Sequence, residues 1–148
     1  MKRGLQEIAV TLWVGGLWVT GYMVAPVLFH ALSDKMLAGM LAGRMFTAIA
    51  YIGMACGAYL LAYRIARAGS SAFREAFFWA VVVMLLLTLA GHFGIQPIIE
   101  RLKEAALPRD VMQSVFRDRF STWHGISSIL YLIQSLLGLF LVASKRKD

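Results

Sequence analysis

The chain is dominated by long apolar runs that contain no charged residue. Four such runs cover residues 8–33, 45–63, 76–99 and 120–144, and the shortest has 19 residues. A helix rises about 1.5 Å per residue, so roughly 20 apolar residues cross the hydrocarbon core of a bilayer. The pattern therefore predicts an all-α integral membrane protein with four spanning helices.

The breaks between the runs indicate how the domain is organised. We expect one domain over residues 1–148, a four-helix bundle with helices at about 8–32, 36–66, 74–99 and 120–144. Charged and apolar residues alternate between the third and fourth runs, which predicts a short amphipathic segment on the membrane surface. Pro26, near the end of the first run, predicts a kink there.

Composition agrees with a membrane protein and excludes other classes. Hydrophobic residues make up 59% of the chain and charged residues 16%, against about 45–50% and 25% in soluble domains. The net charge of +7 does not indicate nucleic-acid binding, because the Lys and Arg residues lie at helix ends and in loops, where they anchor membrane helices. The expected partner is the lipid bilayer, with no nucleic acid. The lone Cys56 has no disulfide partner and is predicted to pack inside the bundle.

The charges also predict an orientation. With four spans both termini lie on one side, and that side holds eight basic residues against seven on the other. Five of the eight acidic residues lie on the opposite side, most of them in the mixed-charge loop 100–119. Such a loop is translocated readily. We therefore predict a multi-pass protein of the bacterial inner membrane with both termini in the cytoplasm.

Small residues on the second helix predict close helix packing. They share one stripe: Gly39, Gly43, Ala50, Gly53 and Gly57. Helix association in lipid depends on close backbone approach rather than on the hydrophobic effect. The stripe is compatible with packing inside the bundle, with a second copy of the chain, or with another membrane protein.

Polar residues inside the spans indicate a candidate site. On the fourth helix they fall on one face: His124, Ser127, Ser128, Tyr131 and Gln134. On the third, Thr88, His92 and Gln96 also share a face. Polar groups in a membrane are costly and usually face the bundle interior. We predict that both faces border one polar pocket, open towards the periplasm, with Arg44 at its mouth.

The histidines give the pocket a candidate chemistry. Imidazole binds haem iron, copper and zinc, and methionine thioethers suit Cu(I). His92 and His124 are the candidate metal ligands, with copper or haem as the cofactors considered. His30 is a weaker candidate ligand, for which a hydrogen bond to a neighbouring helix is the favoured interpretation. The alternative for all three is a hydrogen bond to a neighbouring helix.

No catalytic motif accompanies these residues. The chain has no Gly-rich phosphate loop, no H-E-x-x-H and no acidic partner for a hydrolase triad within the spans. The sequence leaves the question of catalysis open and favours a protein that is not an enzyme.

Three stretches carry a family resemblance, at residues 12–29, 41–46 and 123–132. They include Trp13-Val14-Gly15-Gly16, Gly43-Arg44 and Trp123-His124-Gly125. The chain resembles the bacterial domain-of-unknown-function 4149 family, related to the eukaryotic transmembrane-protein-205-like proteins. This implies a four-span plasma-membrane protein without an assigned activity.

A more distant similarity joins the chain to two families that handle metals. These are the CopD-type copper-resistance membrane proteins and the HemJ-type protoporphyrinogen oxidases, which use haem. HemJ-type activity requires a haem-ligating histidine early in the first helix, and this chain has none before His30.

Three hypotheses follow. The first is a pocket that handles copper or another small ligand. The second is a non-catalytic membrane scaffold or assembly partner, which would include a homo-oligomer. The third is a haem-binding redox protein.

Overall fold

The computed structural model describes residues 2–144, with side chains from residue 4 onward. This part of the chain is helical and contains no strand. Four of its helices are long and apolar enough to cross a membrane. The predicted all-α fold with four spanning helices is confirmed, and the chain is a multi-pass membrane protein.

The first two spanning helices are separated by only three residues. Helix α1 comprises two α-helical stretches joined by a π-helical turn: Lys2–Val19, Thr20–Val24 and Ala25–Ala31. Helix α2, Lys35–Ala68, continues into a 3₁₀ turn at Gly69–Arg74. Asp34 begins α2 because its carboxylate accepts hydrogen bonds from the N–H groups of Met36 and Leu37, at 2.9 and 3.1 Å.

Helix α3 repeats the plan of α1. It comprises two α-helical stretches joined by a π-helical turn: Ala76–Leu89, Ala90–Ile95 and Gln96–Ala106. A 3₁₀ turn at Val111–Gln113 leads to α4, Arg117–Ser144. The amphipathic stretch expected after the third run is largely an extension of α3, and it buries Ile99, Leu102 and Ala106. The helices extend beyond the apolar runs because a charged residue ends a hydrophobic run without ending a helix.

Each π turn ends two residues before a proline. Proline lacks an N–H and its ring clashes with the carbonyl four residues earlier. Before Pro26, the N–H of Ala25 donates to the carbonyl of Thr20, five residues back. Before Pro97, the N–H of Gln96 donates to the carbonyl of Gly91 in the same way. The kink expected at Pro26 takes the form of a widened turn, a feature that is frequent at functional sites.

Trp13 joins α1 to α2 at the centre of the packed core. Its side chain is 1% exposed and lies over two glycines of the α2 stripe. A Cβ at Gly53 would overlap Trp13 Nε1 and stand 2.9 Å from Cδ1, and one at Gly57 would stand 3.0 Å from Cη2. The indole therefore fits only because these positions carry no side chain.

The core occupies one half of the bundle, which we call the closed half. Its buried residues are Ala9, Val10, Trp13, Val14, Cys56, Leu60, Phe77, Ala80, Val81, Met84 and Leu141. They come from the ends of the helices that lie beside the termini and the α2–α3 connection. At that end Arg64 Nε lies 3.4 Å from Glu75 Oε2, and the guanidinium stands over the Phe77 ring at 4.6 Å. The other half, which we call the open half, is packed differently.

Candidate ligand cavity

A cavity of about 1070 Å³ lies between the four helices in the open half. Its walls follow α1 from Trp13 to Phe29 and α4 from Phe120 to Gln134. These stretches measure roughly 24 and 21 Å at 1.5 Å per residue. Parts of α2, of α3 and of the segment before α4 complete the wall. The cavity is therefore elongated and extends from one end of the bundle to its middle.

Most of the residues predicted for the site border this cavity. The residues that do so are Thr88, His92, Gln96, His124, Ser127, Ser128, Tyr131 and Gln134. The polar faces of α3 and α4 thus meet the same space. Arg44, expected at the mouth, instead lines a smaller neighbouring pocket of about 270 Å³, and His30 lines neither.

A buried hydrogen-bond network forms the inner end of the cavity. Gln134 Nε2 donates to Thr88 Oγ1 at 2.6 Å and to the Met84 carbonyl at 3.4 Å. Thr88 Oγ1 donates to the same carbonyl at 2.9 Å. Gln134 and Thr88 are both 7% exposed. The network ties α4 to α3 where the closed half begins.

Tyr131 links α4 to α1 and α2 beside this network. Its hydroxyl donates to the Leu17 carbonyl, and its ring lies against Gly21, where a Cβ would stand 2.8 Å from Cζ. The ring also meets Phe46 of α2 edge to face at 5.4 Å. Close by, Tyr22 OH donates to Ser135 Oγ at 2.9 Å. The π turn of α1 is thus fixed by aromatic side chains on the cavity wall.

The two histidines on the wall contact aromatic rings. His92 meets Tyr51 edge to face with centroids 4.9 Å apart, and His124 stacks on Phe120 at 5.5 Å. Within residues 4–144, neither imidazole forms a hydrogen bond to another residue. The interhelical hydrogen bonds considered as their alternative role are therefore not formed by the described side chains. In the same range, no three His, Cys, Asp or Glu side chains are grouped as a metal site.

The profile of a protein family described as "Domain of unknown function (DUF4149)" matches residues 8–108. The chain belongs to the DUF4149 family. No curated protein and no solved structure matches the chain. The matched region runs through α1, α2 and α3, which supply three of the four helical walls of the cavity.

The cavity of this DUF4149 protein has a charged rim, which was not predicted from the sequence. Lys103 Nζ lies 3.0 Å from Glu100 Oε1 and donates to the Gly39 carbonyl at 3.3 Å. Gln96 Nε2 donates to Glu100 Oε1 at 3.4 Å. We call Gln96, Glu100 and Lys103 the polar row. These residues continue the helical face that carries Thr88. Their spacing along the sequence was the pattern from which the rim could have been predicted. The rim was not predicted because the charge-free run of the third span ends at residue 99, one residue before Glu100.

Other wall residues carried no such signal. They are apolar or aromatic and come from all four helices: Phe29, Phe46, Leu87, Phe120 and Leu132. An apolar side chain in a spanning helix has the same sequence signature whether it faces lipid, core or cavity. The predominantly apolar wall with a polar inner end and a charged rim therefore emerges only from the three-dimensional packing.

Proposed function

We propose that this protein binds a small, largely apolar molecule in the cavity between its four helices. The main support for this proposal is the cavity itself, whose volume is about 1070 Å³. Small-molecule sites are typically about 300–1000 Å³, mostly apolar, with a few polar groups that orient the ligand. Here Gln134 and Tyr131 at the inner end and the polar row at the rim are such groups.

The size of the cavity favours an organic ligand over a bare ion. A metal ion bound by two to four side chains occupies a small part of such a space, whereas a molecule with an apolar body contacts the whole wall. The His92 and His124 rings would then act as polar or aromatic contacts to that molecule. We propose a binding role rather than catalysis.

Copper is the second candidate, and one observation favours it. Methionines Met36, Met40 and Met112 line the same cavity as His92 and His124. Thioether and imidazole together suit copper, and such a set needs no cluster of three His, Cys, Asp or Glu residues. The distant similarity to CopD-type proteins proposed from the sequence would agree with it. Haem, held by either imidazole, is tested by the same experiment.

The proposed cellular setting is the inner membrane, with both termini in the cytoplasm and the charged rim towards the periplasm. The mixed-charge connection between α3 and α4 supports this orientation, because it borders the cavity rim and is of the kind that is translocated. The relationship to transmembrane-protein-205-like proteins is likewise part of the proposal.

Two glycines of α3 offer a matched test. Both lie in the π turn Ala90–Ile95, and at either one a Cβ would meet no atom within 4 Å. Gly91 lines the cavity and Gly94 does not. A leucine side chain at residue 91 therefore occupies space in the cavity. At residue 94 the same glycine-to-leucine substitution in the same π turn places the side chain outside the cavity.

The experiment combines three measurements on detergent-purified protein: metal content, an absorption spectrum, and mass spectrometry of extracted small molecules. We expect one organic compound in stoichiometric amount, retained by Gly94→Leu and lost from Gly91→Leu. Copper lost on His92→Ala or His124→Ala would support the second candidate, and a Soret band would support haem. A protein free of all three that co-purifies with a stoichiometric membrane protein would replace the proposal with the scaffold role.

A further inference from the structure

The smaller pocket is separated from the cavity by a thin wall. Of its six lining residues, four also line the cavity: Met40, Gly43, Gln96 and Glu100. The remaining two, Arg44 and Thr47, belong to α2 and line only the smaller pocket. The two spaces thus adjoin at the seam between α2 and α3, with the exposed Arg44 lining only the smaller one.

The seam is closed by flexible polar side chains rather than by packed apolar ones. The polar row of α3 lies across Gly39 and Gly43 of α2. A Cβ at Gly43 would stand 3.1 Å from Glu100 Oε1 and 3.5 Å from Gln96 Nε2. Long side chains held by hydrogen bonds of 3.0–3.4 Å change rotamer far more readily than a close-packed interior rearranges.

The same two helices are sealed differently in the closed half. There Gly57 of α2 faces Trp13 and Leu85, whose atoms would stand 3.0–3.2 Å from a Cβ at that position. The π turn Ala90–Ile95 separates that sealed part of α3 from the polar row. Such turns are places where a helix bends. A small bend there moves the polar row without disturbing the core.

Arg44 gives the outer side of the seam a charge preference. It is exposed, and nine residues after the start of α2 it lies roughly 14 Å along the helix. Within the described side chains it forms no salt bridge, whereas Glu100, which lines the same pocket, is paired with Lys103. Arg44 directly precedes the charge-free run 45–63, at the edge of the second span, where a guanidinium is stabilised by an anionic headgroup.

We propose that the ligand is an anionic amphiphile dissolved in the bilayer, which passes sideways into the cavity between α2 and α3 while Arg44 holds its headgroup. This rests on the proposed function of the cavity and adds the class of ligand and its route. The polar row acts as the gate of the seam, and the apolar chain fills the elongated cavity beyond it.

Trp13 makes the route measurable. It lines the cavity and is 1% exposed, whereas Trp79 is 52% exposed and lines neither pocket. In a variant that keeps Trp13 and carries Phe at the other three tryptophan positions, a loss of fluorescence reports a quencher inside the cavity. A second variant that keeps only Trp79 reports partition of the quencher into the membrane. The probe is a fatty acid brominated in its chain, added to protein in liposomes.

The gate is tested by the rate of quenching. We expect Gly43→Leu, which wedges the seam, to slow quenching of Trp13 about tenfold, because passage then requires a larger conformational change. Its final extent should be unchanged, and Gly94→Leu should leave both unchanged. Equal rates in all three proteins would overturn the lateral route and leave the cavity proposal intact. No quenching of Trp13 at any time, with Trp79 quenched, would overturn both.

The headgroup is tested without altering the seam. Arg44→Gln should weaken binding of the brominated fatty acid about tenfold and leave the matching brominated alcohol unchanged, since a charge-assisted contact is lost only for the acid. Arg44→Lys should restore most of the affinity for the acid. An equal effect of Arg44→Gln on acid and alcohol, or no effect on either, would overturn the role of Arg44. If Gly43→Leu does not fold, Arg44→Gln still tests the proposed class of ligand.

Discussion

The contact between Trp13 and α2 gives the most specific prediction about stability. We consider Gly53→Ala, which adds a single methyl group beneath the indole ring. That methyl would overlap Nε1 and stand 2.9 Å from Cδ1 of Trp13. The indole is 1% exposed and its far edge already lies on Gly57, so movement along α2 away from Gly53 is opposed by a second close contact.

The magnitude follows from two opposing terms. Overpacking a close-packed interior by a methyl group costs about 1–3 kcal/mol. Alanine favours a helix over glycine by about 1 kcal/mol. We therefore expect Gly53→Ala to destabilise the protein by about 0–2 kcal/mol net, and by about 1–3 kcal/mol relative to a glycine-to-alanine change at an unpacked helix position. The matched control is Gly15→Ala in α1, where a Cβ meets no atom within 4 Å and only the favourable helix term applies.

The assay is reversible unfolding in mixed micelles by a denaturing detergent, followed by tryptophan fluorescence. Gly53→Ala should shift the midpoint to a lower denaturant fraction, and Gly15→Ala should leave it unchanged or raise it. Equal shifts for the two variants would refute the argument that Trp13 requires a glycine at this position.

Two further predictions concern the inner network and the orientation. Thr88→Val removes the nearer of the two acceptors of Gln134 and should cost about 1–2 kcal/mol in the same unfolding assay, whereas Thr88→Ser should cost less. Equal costs would show that the hydroxyl is not what matters. For orientation, single cysteines are placed in a Cys56→Ala background. A cysteine at Val115, which is 91% exposed, should react with a membrane-impermeant maleimide in intact cells, and one at Ser70 only after lysis. The reverse pattern would invert the proposed topology.

The spanning helices and the polar faces were predictable because both are local properties of the sequence. Runs without charge define the spans, and spacing along a helix places Thr88 and His92 on one face and His124 and Tyr131 on another. Polar side chains in lipid-spanning helices turn inward, so the prediction that the two faces border one space needed no tertiary information.

The remaining features depend on how the helices pack. Sequence spacing indicated that Gly53 is an interface residue, but not that Trp13 of α1 would fill the space above it. The extension of α3 to Ala106 was hidden by its charges, although Glu100 and Lys103 keep the helical face of Gln96. The division into a closed and an open half could also not be predicted from the sequence, because apolar residues dominate both halves.

The most direct test of that division is the rate at which a small water-soluble thiol reagent modifies single cysteines in the Cys56→Ala protein. Gly91 lies on the cavity wall, and Val81, in the closed half of the same helix, is 1% exposed. We predict rapid modification of Gly91→Cys, and we expect an added fatty acid to slow it. Modification of Val81→Cys should be very slow, because a close-packed interior excludes the reagent. Equal rates at the two positions, or no reaction at Gly91→Cys, would contradict the existence of an open cavity in this half of the bundle.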